Sequence, residues 1–512
     1  MTPKVHEVRP ESFRSHAAMT VRIGSSIAQA QPKLMESLSR LLSDRFVVEN
    51  AYLFSGKPGI LFGLPGDHVL IDQAIAALTP AMHMHMYREG YVIDVATESV
   101  VVAALSPAGL FYGAQALMDL VSVNGGAIEI AGGRIVDWPT MSRRGFHYLV
   151  KSRAELPDFE DVITRFMPSF RLNEIILEIN YRYEYGSHPE IREADCWTAD
   201  DCRRLRQLAD ENCVKIIPMI NCLGHQSWAG ETFQLLNTHP EFDETPDIPL
   251  SNKDIYCRSW CPLHPGINAF IFDLIDELVD VFGASSFHAG MDEVFILSKC
   301  PRCREIAPAE LFARSVKDIH AHVVGKHGLE MLIWGDRLID TESSGYGEWE
   351  ASSNNTAPAI DLIPKDIVIC DWHYETEYGG KPATYTSVRE FQKKGLRVWP
   401  AGWKSAKNAQ MLAEVALESA SDLMVGYLAT TWTSVGAVAG GLRGDKERLA
   451  ENYISGIVDA IHEGSRIAWE GAPQPSGKMP ERVPERVPER APEHPMSKFV
   501  WTKAEPTPVT TT

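Results

Sequence analysis

The chain lacks any run of the roughly 18 apolar residues that a membrane-spanning helix needs. Its start, Met1-Thr2-Pro3-Lys4-Val5-His6-Glu7, lacks the charged-then-apolar order of a secretory signal. Positive charge is in short supply: 49 Lys and Arg stand against 68 Asp and Glu, a net charge of -19. That balance argues against a nucleic-acid partner and gives no support to binding at an anionic membrane. Cysteine is sparse and odd in number, 9 in 512 residues, and all lie between Cys196 and Cys370. Such usage does not suggest the disulfide framework of a secreted protein. Together these absences predict a soluble, cytoplasmic protein.

What is present falls into three blocks. Residues 1–138 read as a small α+β domain. Tyr91–Val95 and Val100–Ala104 look like paired strands, Pro107 to Val121 like an amphipathic helix, and Gly125-Gly126 and Gly132-Gly133 flank another short strand. Residues 466–512 read as a disordered tail, because Pro recurs at every fourth position from Pro480 to Pro492 in a Pro-Glu-Arg repeat. Proline at that spacing blocks both helix and strand ladders.

Residues 139–465 alternate short apolar runs with amphipathic helical stretches. The candidate strands are Gly145–Leu149, Glu174–Ile179, Lys215–Ile220, Ser286–Ala289, Glu330–Ile333, Ile367–Cys370, Arg397–Trp399 and Met424–Ala429. Buried, non-alternating strands separated by helices predict an α/β fold, a (β/α)8 TIM barrel. In such a barrel the chemistry gathers where the strands end. There the chain places Glu178 and Glu184, His225, the adjacent pair Asp292-Glu293, Trp334 and Asp336, Trp372 and Tyr374, and Trp432. Two neighbouring acids in an apolar setting should not titrate alike, since one charge disfavours the other. Tryptophans recurring beside carboxylates suit a sugar ring, whose C–H faces pack on indole while its hydroxyls meet the acids.

At these residues the chain resembles glycoside hydrolase family 20, the β-N-acetylhexosaminidases. His288-Ala289-Gly290-Met291-Asp292-Glu293 resembles that family's His-x-Gly-Gly-Asp-Glu, with Met291 in place of a glycine. Arg144-Gly145-Phe146 resembles its Arg-Gly element, and Asn221-Cys222-Leu223-Gly224-His225 its Pro-Gly-His element. Glu89–Ile93 and Ala108–Gly113 resemble the small domain that precedes its barrel. The resemblance implies a retaining exo-glycosidase acting on a carbohydrate with a terminal β-linked N-acetylhexosamine, through an oxazolinium intermediate and without a catalytic cofactor. It implies Glu293 as general acid, protonated near neutral pH, and Asp292 and Tyr374 as the residues that hold the 2-acetamido group. It implies Arg144, His225, Trp334, Asp336, Trp372, Trp432 and either Glu178 or Glu184 as sugar contacts. The family often shows Trp-Gly-Glu after the last strand, whereas Trp432 is followed by Thr433-Ser434. That departure motivates an alternative, a sugar-binding barrel without efficient catalysis.

Two other constellations stand out. Cys257, Cys261, Cys300 and Cys303 pair a CxxxC with a CxxC, the makings of a structural zinc site. His225, His288 and His373 with Asp292, Asp336 and Asp371 would serve a metal-dependent hydrolase.

Overall fold

The computed structural model describes residues 1–471 except 16–18, 44, 52–58 and 125–126. The Pro-Glu-Arg repeat and Gly125-Gly126 therefore lie outside the described residues. Eight parallel strands close a barrel in chain order: β1 (Arg143–Leu149), β2 (Glu174–Glu178), β3 (Lys215–Cys222), β4 (Ser286–Gly290), β5 (Glu330–Trp334), β6 (Val368–Trp372), β7 (Arg397–Gly402) and β8 (Gly426–Ala429). Each predicted run corresponds to one of them. Several strands continue past their predicted ends, into Cys222, Trp334, Trp372 and Gly402, because polar and aromatic residues at the barrel's mouth stay in the ladder.

The period of two sorts each strand into inner and outer residues. Inward side chains stack in layers. At the bottom Arg143 pairs with Glu174 and Glu330, and Arg397 joins Glu330. Above them Ile176, Ile217, Met219, Leu332, Val368, Cys370, Trp399 and Leu428 fill the interior, capped by Trp334 and Trp372. Outward residues pack under the helices. The helix Ile267–Phe282, for example, buries Ile267, Phe270, Ile271, Leu274, Ile275 and Leu278 at helical spacing.

The N-terminal domain holds a seven-stranded sheet in which Tyr91–Val95 and Val100–Ala104 pair antiparallel, as read from the sequence. The helix Pro107–Leu120 follows, capped by Ser106 Oγ, which accepts the Gly109 N–H. The helix Ile454–Glu470 packs against both domains. Trp469 is fully buried and its Nε1–H donates to Asp137 at 2.8 Å. Residues 466–470 thus belong to the folded body and not to the tail, because the apolar face through Ile457, Ile461, Ala468 and Trp469 runs to the helix end. Among the described residues, no helix is long and apolar enough to cross a membrane.

Candidate active site

The chain leaves β4 through a turn of left-handed residues: Gly290 at φ 67°, Met291 at 76° and Glu293 at 49°. A Cβ on Gly290 would sit 2.7 Å from Asn221 Oδ1, so only glycine lets β4 pass this close to β3. Met291 holds its strained φ because its side chain is fully buried in the layer outside the strands. Left-handed backbone costs about 1–2 kcal/mol for a residue with a Cβ, whereas emptying a buried methionine site costs about 2–5 kcal/mol. Met291→Gly is therefore expected to lower stability, by about 1–3 kcal/mol, despite restoring the glycine of the motif. Urea denaturation would read it, and a stabilised variant would show that strain outweighs packing here.

This turn presents Asp292 and Glu293 together, both buried, at the C-terminal end of the barrel. His225 sits between them, its Nε2 3.0 Å from Asp292 Oδ2 and 3.2 Å from Glu293 Oε2. Its backbone N–H donates to Cys257 Sγ at 3.0 Å. Gly224, just before it, lies so close that a Cβ would meet the Asp292 carbonyl at 2.7 Å. Burial opposes a charge on His225, yet its pKa is raised well above the usual imidazole value by Cys257 and Asp292. Burial pushes the Cys257 thiol up as well, so the Asp292 carboxylate is the anion that holds the ring charged. Asp292 is itself raised, first by burial and also by Glu178 and Glu293, with His225 pulling the other way. Its Oδ1 is buried without a hydrogen-bond partner.

Glu178 ends β2 and accepts from His147 Nε2 (3.1 Å), Asn180 Nδ2 (3.0 Å) and Asn221 Nδ2 (2.6 Å). Burial disfavours its charge, but these donors and His225 hold its pKa below the usual carboxylate value. His288 is the opposite case: burial, with His147 nearby, drives its pKa well below 6.5, and its Nδ1 accepts the Gly290 N–H. A neutral His288 thus braces the turn.

Asp336 follows β5 and is fully committed. Its Oδ2 accepts the Glu293 backbone N–H at 2.9 Å and Arg337 Nε at 2.7 Å, and its Oδ1 faces Trp372 Nε1 at 3.4 Å. It fixes the general-acid candidate and leaves the sugar-contact role expected of it unfilled. Arg337 then donates to the carbonyls of Glu348, Trp349 and Ala351 and lies over Phe295.

The aromatic wall is continuous. Trp334 forms the buried floor, 5.9 Å from Trp432 and against His147 and His288. Trp372 stacks on Tyr374 at 5.0 Å. The Tyr374 hydroxyl accepts from Trp432 Nε1 at 2.8 Å and lies 3.4 Å from Thr430 Oγ1. Burial raises its pKa well above 10, so its own proton stays in place.

Three predicted residues lie elsewhere. Arg144 is fully buried at the other end of β1, where it pairs with Glu89 at 2.8 Å and lies over Trp469. The alternation that sends His147 inward sends Arg144 outward, so it joins the two domains and cannot reach a sugar. Glu184 accepts the Ala199 N–H at the start of the helix Ala199–Glu211, which leaves Glu178 as the acid of β2 in the site. Cys257 faces His225, and Glu244 takes its place beside Cys261, Cys300 and Cys303. The metal-hydrolase set does not converge either, since His373 is held by Glu350, Ser387 and Asp371.

Sequence reasoning gave no role to Asn221, which it placed at the end of β3, and missed His147, Trp349 and Glu350. Glu350 accepts the Tyr374 N–H at 3.1 Å and pairs with His373. Trp349 packs at 5.1 Å from Tyr256 and 5.3 Å from Phe295, beside the barrel's interior cluster. A cleft of about 550 Å³ at the barrel's other end offers no rival site. Its acids Glu174 and Glu330 are already tied to Arg143 and Arg397.

A closed parallel barrel with a carboxylate pair walled by aromatics at its C-terminal mouth is the build of a glycoside hydrolase. The model "Glycosyl hydrolase family 20, catalytic domain" matches residues 171–435, and "Glycosyl hydrolase family 20, domain 2" matches residues 2–138. The chain belongs to glycosyl hydrolase family 20. It is 24% identical over 298 residues to a lacto-N-biosidase of Bifidobacterium bifidum, which covers 56% of this chain and 24% of that protein. It is 24% identical over 318 residues to a beta-hexosaminidase of Porphyromonas gingivalis, which covers 53% of this chain and 39% of that one. The chain thus spans well under half the length of these relatives. In fold it is similar to a Vibrio harveyi exo beta-N-acetylglucosaminidase solved with N-acetylglucosamine (TM-score 0.64, 18% identity, 91% of this chain and 73% of that one). It is also similar to a Bacteroides fragilis beta-N-acetylhexosaminidase (TM-score 0.62, 15% identity, 90% and 89%).

Proposed function

We propose that the barrel is a retaining exo-β-N-acetylhexosaminidase that uses the substrate's own 2-acetamido group as nucleophile. The observation that carries this reading is Asp292 Oδ1, a buried carboxylate oxygen with no partner, beside the acid Glu293. An acetamido N–H would satisfy it. Glycosidases that supply their own nucleophile need two carboxyl groups flanking the scissile bond, whereas substrate assistance is an exception to that rule. Adjacent residues suffice when one acid serves the leaving group and the other the acetamido group.

In this reading Glu293 gives its proton to the glycosidic oxygen as the C1–O bond breaks. The acetamido carbonyl oxygen attacks C1 and closes an oxazolinium ring, whose N–H is held by Asp292. The Tyr374 hydroxyl accepts from Trp432, so its own hydrogen is free for the acetamido oxygen. Water then attacks C1 and gives a proton to the Glu293 carboxylate while the C1–O bond of the oxazolinium ring breaks, so the acetamido group is regenerated and configuration is retained. Release of p-nitrophenol from β-N-acetylglucosaminide or β-N-acetylgalactosaminide tests this. Turnover of the corresponding β-glucoside, which lacks the acetamido group, at a comparable rate would sink it.

The pair His225–Asp292 carries a pH prediction. Asp292 must be ionised to accept the acetamido N–H, so activity falls as pH drops through its pKa. Burial, Glu178 and Glu293 push that pKa up, and the His225 cation restrains it. His225→Gln is expected to move the acid limb of kcat/KM to higher pH by about 1 unit or more. An unmoved limb would show that Asp292 does not set it.

A further inference from the structure

Cys261, Cys300, Cys303 and Glu244 bring their ligand atoms within 4.8 Å of one another in a buried cluster. Cys261 Sγ lies 3.4 Å from both Cys300 Sγ and Cys303 Sγ. A disulfide would bring two sulfurs to about 2.05 Å, whereas the edge of a tetrahedral site with Zn–S of about 2.3 Å is roughly 3.8 Å. The observed spacing is nearer the second, and a disulfide would leave one thiol and the carboxylate over. Cys300-Pro301-Arg302-Cys303 forms a tight turn, with the Cys303 and Arg304 N–H groups both donating to the Cys300 carbonyl.

Glu244 makes the cluster hard to read as packing. It is fully buried, one oxygen accepts the Lys299 N–H at 2.9 Å, and its Oε2 has no hydrogen-bond partner. Among the described residues no cation pairs with it. An unpaired carboxylate in the interior is costly unless a charge meets it. The other such grouping, Asp276 with His322 and His327, needs no ion, because Lys326 Nζ already sits 2.6 Å from Asp276.

We propose that Cys261, Cys300, Cys303 and Glu244 bind one structural metal ion, best matched to Zn2+. Three thiolates select a soft or borderline ion, a carboxylate oxygen completes four-coordination, and no position is left open for water. The ion would tie the long connection after β3 to the segment that leaves β4. Trp260, next to Cys261, donates to the Leu223 carbonyl two residues before His225. Cys300 ends the loop that begins at Asp292-Glu293. The clamp would thus hold together the two loops that bring His225 to the acid pair.

The test uses the full chain, purified under reducing conditions without chelator. Elemental analysis should find about one zinc per chain, and Glu244→Gln and the double variant Cys300→Ser/Cys303→Ser should lose it. Phenanthroline should lower the melting temperature of the parent protein and not that of the double variant. Because the double variant is able to fail for lack of folding, the parent is also stripped and titrated with Co2+, which should give thiolate-to-cobalt charge-transfer absorption. No zinc as purified together with no such absorption would overturn the proposal. So would mass spectrometry of the fresh protein showing Cys261 in a disulfide with Cys300 or Cys303.

Discussion

Glu293→Gln is expected to cut kcat/KM by about 10²–10⁴ on a β-linked N-acetylhexosamine whose leaving group is another sugar, the range that a positioned general acid supplies. Glutamine keeps the shape and the contact with His225 and leaves the Glu293 N–H bonded to Asp336. What it loses is the proton. A sugar alkoxide is a poor leaving group and needs that proton as the bond breaks; an acidic phenol hardly does. The loss should therefore shrink along a series of aryl glycosides as the phenol becomes more acidic. With the best leaving groups kcat stays low, because opening the oxazolinium ring still wants a base to take the proton from water, while kcat/KM recovers. The measurement is kcat/KM against leaving-group acidity for parent and variant. An equal loss at every leaving group would remove Glu293 from the acid role.

The reading of Glu293 depends on where β4 ends, and that much was legible from residues alone. A short apolar run, a glycine and two acids say strand, turn and site. The barrel was legible for the same reason: strands covered on both faces are continuous apolar runs, and each was found within a few residues of its observed span. What remained hidden is how a strand covered on both sides divides its residues between inside and outside. No apolar–polar alternation marks the faces, so Arg144 and His147 look equally placed. The polar residues themselves held the clue. Arg143 and His147, Glu174 and Glu178, and Ser286 and His288 each recur at even spacing, and all face inward. Arg144 breaks that parity and belongs to the domain joint. The catalytic-domain match begins at residue 171, so both Arg144 and His147 fall outside it. Trp349 and Glu350 lay on a connection after β5 that carries no motif. They reach the site only because Arg337 gathers the carbonyls of Glu348, Trp349 and Ala351, a long-range contact that spacing does not reveal. Cys257 against Glu244 is the same lesson at the proposed metal site. Sequence offers cysteines as ligands, but Cys257 is drawn to the His225 N–H, and a buried glutamate fills the gap.

Asp292→Asn is expected to lower kcat by about 10²–10³, the cost of removing one preorganised electrostatic contact to the charge that develops in the transition state. In the proposed mechanism the unpartnered Oδ1 takes the acetamido N–H, while Oδ2 is spent on His225. Asparagine keeps at most one acceptor, and a charged His225 claims it, leaving an NH2 group to face the substrate's N–H. Positive charge building on the oxazolinium ring also loses its counter-ion. This loss does not involve the leaving group, so it should be the same across the aryl series, in contrast to Glu293→Gln. An acetamido-thiazoline, which mimics the cyclised intermediate, should bind Asp292→Asn far more weakly than the parent but lose less in Glu293→Gln. Stability separates this effect from misfolding. Asp292 has a folded-state pKa raised above its unfolded value, chiefly by burial, so the ionised carboxylate is a folding penalty that grows as pH rises through that pKa. A neutral asparagine removes the penalty, although it also deprives the His225 cation of its partner. Urea denaturation should therefore find the stability of Asp292→Asn relative to the parent rising from the acid range, where Asp292 is protonated in both states, to neutral pH, where the two are close, and level above that. A variant that is inactive and also clearly less stable across that range would mean that Asp292 holds the turn together, and the acetamido role would have to pass to another residue.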